Sequence, residues 1–181
     1  MPRTASIGAV AVTAALLLLA PAAGAAGCPG ADTPAAASQL REVRAATLCL
    51  IGEQRAAAGL RPLHVQSTLQ RLSRDYAHQM VRQGFFSHTT PGGSTFVERL
   101  RAGGYPRRGR SWRAAENLAW ATGRRSTPRR VVAGWMASSE HRRNILDPRF
   151  RDTGLAVVAG TPGHASGRPR ATFVQQFGVR R

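Results

Sequence analysis

The chain has 181 residues. Its formal net charge is +17, because it contains 26 arginines, no lysine and only nine acidic residues. No apolar stretch reaches the ~20 residues of a membrane span, so we expect no transmembrane segment. The roughly 155 residues that follow a predicted leader suit one domain rather than two. The charge favours an anionic cell-wall polymer or lipid as partner and no specific nucleic acid, and we expect a monomer.

The N-terminus has the pattern of a secretory signal peptide. Arg3 precedes an apolar run that ends at Pro21, and residues 23–25 form a small-residue cleavage site. The sequence therefore predicts a signal peptide over residues 1–25 and a secreted, extracellular protein. A competing interpretation makes Cys28 a lipidated N-terminus, although the residues before it lack the usual leading aliphatic side chain.

The two cysteines of the chain lie on either side of a segment rich in proline, glycine and alanine. That composition predicts a flexible N-terminal arm over residues 26–39, followed by one domain over residues 40–181. An even number of cysteines in an exported chain favours a Cys28–Cys49 disulfide over a catalytic thiol. The disulfide would attach the arm to the first helix.

Two helices are expected in the first half of the domain. Good helix formers run from Leu40 until Gly59 ends the first helix. Ser67 and Gln70 have the spacing of a capping box, and apolar residues then recur every three or four positions until Gly84 ends the second helix.

Two further helices are indicated by their first residues. Thr95 and Glu98 form a second capping pair, which predicts a short helix that ends at Gly103. Thr127 followed by Pro128 has the pattern of a cap and first turn, and an apolar stripe follows it.

The strand signals come last in the chain. Residues 104–113 are basic and predicted to form a loop, whereas residues 154–159 and 171–177 are predicted as an antiparallel pair of strands. Helices followed by a terminal hairpin indicate an α+β fold rather than alternating βαβ units.

Three short segments place a titratable side chain among apolar neighbours. They are FFSH, which ends at His88, AENLAW around Glu116, and SSEHRRNIL around His141. Such surroundings are typical of groups at the floor of a cleft, so these three residues are the candidate site. His78 lies off the apolar stripe of its helix and is predicted to be a surface residue.

The order of five motifs resembles the bacterial CAP domain, a superfamily named for cysteine-rich secretory proteins, antigens and pathogenesis-related proteins. The motifs are RAAAGLRPL, FFSH, AENLAW, WMASSEHRRNIL and TFVQQFG, and the resemblance covers residues 40–178. It implies an α-β-α sandwich with a small antiparallel sheet of three or four strands between helical layers. It also implies a central cavity lined by two histidines and acidic residues, which correspond to His88, Glu116 and His141.

The sequence departs from the family pattern near these positions. Ala115 and Glu140 stand where relatives usually have glycine, and Ser138 stands where eukaryotic relatives have a second acidic residue. Glu140 replaces that carboxylate only if the backbone turns it inward, because its neighbour His141 points roughly 100° away on a helix.

Two imidazoles and a carboxylate allow metal chemistry. His88 and His141 can supply nitrogen ligands to zinc or another divalent metal, and Glu116 can complete the set or act as a base. Alternatively, the histidines bond to Glu116 or to backbone carbonyls with no metal present. The serines near either histidine lie outside a G-x-S-x-G motif. We therefore expect a non-enzymatic binding module of the cell envelope or extracellular space. The alternative is a metal-assisted hydrolase that acts on peptides or cell-wall components, with Glu116 as its catalytic base.

Overall fold

The computed structural model describes residues 27–106, 109, 111–163 and 166–180. The signal peptide predicted over residues 1–25 lies outside these residues. Within the described part of the chain, none of the helices combines the length and apolarity needed to cross a membrane.

Helices and strands alternate irregularly along the chain, as expected for an α+β fold. In chain order they are α1 (Leu40–Ala57), β1 (His64–Val65), α2 (Ser67–Gln83), α3 (Phe96–Ala102), β2 (Trp112–Thr122), α4 (Pro128–Ala137), α5 (Ser139–Ile145), β3 (Asp152–Ala159) and β4 (Arg170–Arg180). Short 3-10 turns precede α1 and α4. The predicted fold class is confirmed.

The four strands form one sheet in the order β1, β3, β4, β2. β4 pairs antiparallel with β3 and with β2, so the predicted terminal hairpin is confirmed. The short β1 pairs parallel with the start of β3, where His64 lies opposite Asp152, so the sheet is mixed rather than wholly antiparallel. β2 lies at one end of this order, so among the described strands it pairs with β4 alone.

The sheet lies between two layers of helices. Side chains of α2 cover one face, where Tyr76, Ala77 and Met80 pack on β3 and β4. The larger cluster on the other face brings α1, α4 and α5 against Phe173 and Phe177 of β4. Gly154 allows β3 to approach α2 closely, since a Cβ there would lie 2.2 Å from the Leu69 carbonyl carbon.

The cap residues explain most helix boundaries. Thr95 and Glu98 form the predicted capping box of α3. The predicted box at the start of α2 is wrong: the side chain of Gln66 accepts the Leu69 N–H at 2.7 Å, and the Gln70 side chain donates to the Leu155 carbonyl of β3. Gln70 therefore ties the helix to the sheet instead of capping it.

The strand β2 was not predicted from the sequence. It begins at Trp112, inside the segment expected to be a loop, and pairs with β4 over its whole length from Trp112 to Thr122. Its alanines and polar residues have little intrinsic strand preference, so long-range pairing with the apolar β4 decides its conformation.

The N-terminal segment packs on the domain, contrary to the expected flexible arm. Ala31 and Ala35 are buried, and the Ala31 carbonyl accepts the Arg129 N–H of α4 at 2.9 Å. The predicted Cys28–Cys49 disulfide is present and joins this segment to α1. Because the Cys28 sulfur is bonded to Cys49, its thiol is not free for lipidation.

Candidate functional site

Glu116 is the centre of a buried polar network. Its side chain points from β2 towards the α2 and α3 layer and is only 1% exposed. Both carboxylate oxygens accept from Arg99 Nη2, at 3.0 and 3.2 Å, and Gln176 Nε2 donates to Oε2 at 3.0 Å. His88 Nδ1 lies 3.0 Å from Oε1. Glu116 therefore has three side-chain partners, which satisfy a carboxylate that burial would otherwise penalise.

Arg99 is a site residue that the sequence did not reveal. Its guanidinium stacks on Tyr76, 3.4 Å from the ring centroid, and its Nη1 donates to the His88 carbonyl at 2.8 Å and the Ser94 carbonyl at 3.2 Å. One side chain thus neutralises Glu116 and fixes the loop that carries His88. The available signal was weak: Arg99 lies one turn after Phe96 in a short helix, among many other arginines.

His88 presents one ring nitrogen to the carboxylate and the other away from it. An ionised carboxylate only accepts hydrogen bonds, so Nδ1 donates to Glu116 and Nε2 is left as the basic nitrogen. The His88 side chain is 55% exposed. Behind it, the Tyr76 hydroxyl donates to the Ser87 carbonyl, and burial raises the pKa of Tyr76 to about 12. Tyr76 therefore remains a neutral donor that supports the loop.

His141 lies on α5 and is attached to β2 through its backbone. Asn117 Nδ2 donates to the His141 carbonyl at 3.1 Å, and Asn144 Nδ2 donates to Asn117 Oδ1 at 2.9 Å. Burial lowers the pKa of His141, and the nearby charge of His88 lowers it further, whereas Glu140 opposes the shift. His88 and His141 are therefore attached to adjacent residues of β2, Glu116 and Asn117.

Arg55 from the RAAAGLRPL motif fixes the far end of α5. It is 1% exposed and donates to the carbonyls of Ile145 at 2.7 Å, Asp147 at 3.1 Å and Arg61 at 3.0 Å. Burial lowers the pKa of its guanidinium. A buried cation thus satisfies carbonyls at the end of the helix that carries His141.

The three predicted site residues do not form a closed metal site. Within the part of the chain that the structure describes, the grouping of three possible ligands within 4.8 Å of one another is Cys28, Cys49 and Glu53, and its two sulfurs form the disulfide. Glu116 is already engaged by Arg99 and two further side chains. With its oxygens so engaged, Glu116 does not fit a His₂Glu ligand set.

The two departures near His141 do not restore a carboxylate. Ser138 occupies the position before α5 and is half-buried, and Glu140 is exposed to solvent. His78, predicted as a surface residue, is also exposed. The acidic part of the site is therefore Glu116, without the second carboxylate of the eukaryotic pattern.

A groove of about 490 Å³ continues from His141 between β2 and α4. Its β2 side includes Trp120, which is 44% exposed, and the groove also contains Arg125 and Arg130. Trp135 is buried, and its indole Nε1 donates to the Leu118 carbonyl at 3.1 Å. The groove therefore combines an aromatic surface, two cations and the edge of a strand.

Comparison with known proteins identifies the class. Residues 41–177 match the cysteine-rich secretory protein family, designated CAP, and the chain belongs to that family. An uncharacterized protein of Bacillus subtilis strain 168, YkwD, is 31% identical over 109 residues, which are 60% of this chain and 40% of YkwD. The chain thus spans less than half of that relative.

Solved structures support the same fold. An outer surface protein from Borrelia burgdorferi has a TM-score of 0.60 at 22% identity, over 74% of this chain and 90% of that protein. An extracellular SCP-domain protein from Bacillus anthracis has a TM-score of 0.58 at 21% identity, over 77% of this chain and 40% of that protein. A cysteine-rich secretory protein from Staphylococcus aureus has a TM-score of 0.56 at 15% identity, over 78% of this chain and 40% of that protein.

Proposed function

We propose that this protein is an exported, non-enzymatic binding module of the cell envelope or extracellular space, with a ligand site formed by His88, Glu116 and His141. Membership of the CAP family and the extracellular description of the Bacillus anthracis relative support export. The Cys28–Cys49 disulfide also supports it, because such bonds persist in oxidising compartments.

The engagement of Glu116 is the observation that carries the non-enzymatic assignment. A general base needs a free lone pair directed at the proton that it removes. The carboxylate instead accepts from Arg99, Gln176 and His88, and it is sealed from solvent. Glu116 therefore orients His88 and is unsuited to act as a base itself.

A divalent metal such as zinc would be held by His88 Nε2 and a ring nitrogen of His141, with Glu116 bonded behind His88. A bound zinc ion supplies a Lewis acid that polarises a ligand oxygen or a water. In this arrangement Glu116 fixes the orientation of the His88 ring, a role that carboxylates commonly have behind metal-binding histidines.

The alternative function is a metal-assisted hydrolase, and one observation favours it. The Nδ1 contact of His88 with Glu116 leaves an exposed Nε2, which is how a carboxylate prepares an imidazole for proton transfer. The reactive group would then be His88 rather than Glu116, and peptides or wall components would be its substrates.

Turnover measurements separate the two functions. We would assay casein and purified peptidoglycan with and without added zinc, using wild type, His88→Ala, His141→Ala and the exposed control His78→Ala. The binding role predicts no histidine-dependent turnover. It also predicts salt-sensitive co-sedimentation with anionic sacculi that is weaker for His88→Ala and His141→Ala than for wild type and His78→Ala. Turnover lost on changing His88 but kept on changing His78 would establish the hydrolase instead.

The metal is tested separately by elemental analysis after dialysis against zinc. Wild type and His78→Ala should retain equal zinc, and His88→Ala combined with His141→Ala should retain less. Equal zinc in all proteins would refute a site on these two histidines and would leave the binding role to be decided by the turnover assay.

A further inference from the structure

The C-terminal half of β2 has a free backbone edge that lies in the groove. The Gly123 N–H donates to the Pro169 carbonyl at 2.7 Å, just beyond the pair formed by Thr122 and Arg170. Backbone bonds alternate along an antiparallel pair, so the odd-numbered residues of β2 bond to β4 and the even-numbered residues face outward. The N–H and C=O groups of Trp120 therefore point away from β4, into the groove.

The same alternation directs the Leu118 backbone outward, and there the edge is partly covered. Trp135 of α4 donates its indole N–H to the Leu118 carbonyl. Among the described residues, no protein group accepts from the outward N–H of Trp120 or donates to its carbonyl. Trp120 and Thr122 line the groove. An unpaired edge of this kind is a template for another strand.

The walls of the groove define the charge of its occupant. Arg125 and Arg130 line it, and its described lining includes no acidic residue. Gly134 leaves a gap on the α4 side, since a Cβ there would meet no heavy atom within 4 Å. The space beside the strand edge is therefore open and positively charged.

We propose that this groove binds an extended acidic peptide, which adds to β2 as a further strand beside Trp120. The proposal rests on the binding role inferred above and specifies the partner for the part of that site next to His141. Main-chain bonds to the edge would supply affinity, and Arg125 and Arg130 would select acidic side chains. A polypeptide is favoured over an acidic glycan because a glycan lacks the repeating amide donors and acceptors that match a strand edge.

The test uses a synthetic peptide of alternating glutamate and valine, capped at both ends. Binding is followed by amide chemical shifts and tryptophan fluorescence. Two comparison peptides carry either N-methyl groups on the amides of one edge or lysine in place of glutamate, and a hyaluronan octasaccharide serves as the acidic glycan. The N-methyl peptide keeps its charge but cannot donate along that edge.

The protein variants are matched pairs. Gly134→Leu fills the groove, and Gly52→Leu adds the same side chain to α1 at another helical glycine whose Cβ position is open. Arg125→Gln removes a groove cation, and Arg124→Gln removes an exposed neighbour that does not line the groove. Circular dichroism of each variant confirms that it is folded before binding is measured.

We expect saturable binding of the acidic peptide with shifts at Trp120 and Thr122, and affinity at least about tenfold lower for the N-methyl and lysine peptides. Gly134→Leu and Arg125→Gln should weaken binding, whereas Gly52→Leu and Arg124→Gln should not. No saturation by about 1 mM, equal binding of the N-methyl peptide, or displacement of the peptide by hyaluronan at equal affinity would overturn the proposal. None of these outcomes alters the histidine-dependent turnover test, so the two proposals fail separately.

Discussion

The Arg99–Glu116 ion pair gives the sharpest test of the site. Changing Arg99 to methionine leaves the Glu116 carboxylate buried with only His88 and Gln176 as partners. Removal of one member of a buried pair costs about 3–5 kcal/mol, because the other charge remains without compensation. Loss of the Arg99 stack on Tyr76 adds about 1 kcal/mol. We expect Arg99→Met to lower the free energy of unfolding by about 5 kcal/mol.

Glu116→Gln isolates the other half of the pair. It leaves the Arg99 guanidinium, whose side chain is 11% exposed, without its anion, and we expect a loss of about 3 kcal/mol. In the double variant, Arg99→Met combined with Glu116→Gln, neither charge is left buried without its partner. The loss of stability of the double variant should therefore be smaller than the sum of the two single losses by about 2 kcal/mol. Urea unfolding followed by circular dichroism at neutral pH, with the disulfide intact, measures all three values.

An ion pair on the surface provides the control for this double-mutant cycle. Arg74 and Asp75 lie 3.8 Å apart with both side chains more than half exposed. Arg74→Met should therefore change stability by less than about 1 kcal/mol. Additivity of Arg99→Met and Glu116→Gln within about 0.5 kcal/mol would refute the reasoning, because independent sites add to that accuracy.

Three further predictions concern the framework around the site. Replacing Cys28 and Cys49 together with alanine should cost about 3 kcal/mol, as a loop of this size predicts, and a loss below about 1 kcal/mol in thermal or urea unfolding would contradict it. Arg55→Met should cost about 3 kcal/mol because it orphans buried carbonyls at the end of α5, and unfolding equal to wild type would contradict that account. Gly154→Ala should cost about 2 kcal/mol or more, since the new Cβ meets the backbone of α2. Gly134→Ala should instead stabilise the protein by about 1 kcal/mol, because alanine has the higher helix propensity and its Cβ meets no atom there. Equal urea midpoints for the two variants would refute this contrast.

The elements that could be predicted from the sequence are those with local signals. Thr95 and Glu98 fix the start of α3, and Gly84, with its left-handed backbone, ends α2 as expected. These capping interactions join residues only a few positions apart, so the sequence alone reveals them. The motif order also singled out His88 and His141, which lie on separate elements and are attached to adjacent residues of β2.

The parts that could not be predicted depend on long-range pairing. β2 lacks a strong strand signal, and only its register with β4 places Gln176 opposite Glu116. Arg99 lies seventeen residues before Glu116 in sequence and is one of many arginines, so its partner is set by how α3 docks on the sheet. The alternative role of Glu116 as a base followed from its residue type, whereas its three side-chain partners follow from the fold.

The alternation of side chains along β2 explains how both histidines are attached to neighbouring residues of one strand. Glu116 points to the layer of α2 and α3, where it binds Arg99 and His88, and the next residue, Asn117, points to the opposite layer, where it binds the His141 backbone. Two adjacent residues of one strand thus hold the two histidines from opposite faces of the sheet. A register slip of one residue would exchange these faces and break both attachments, so the pairing of β2 with β4 determines the geometry of the site.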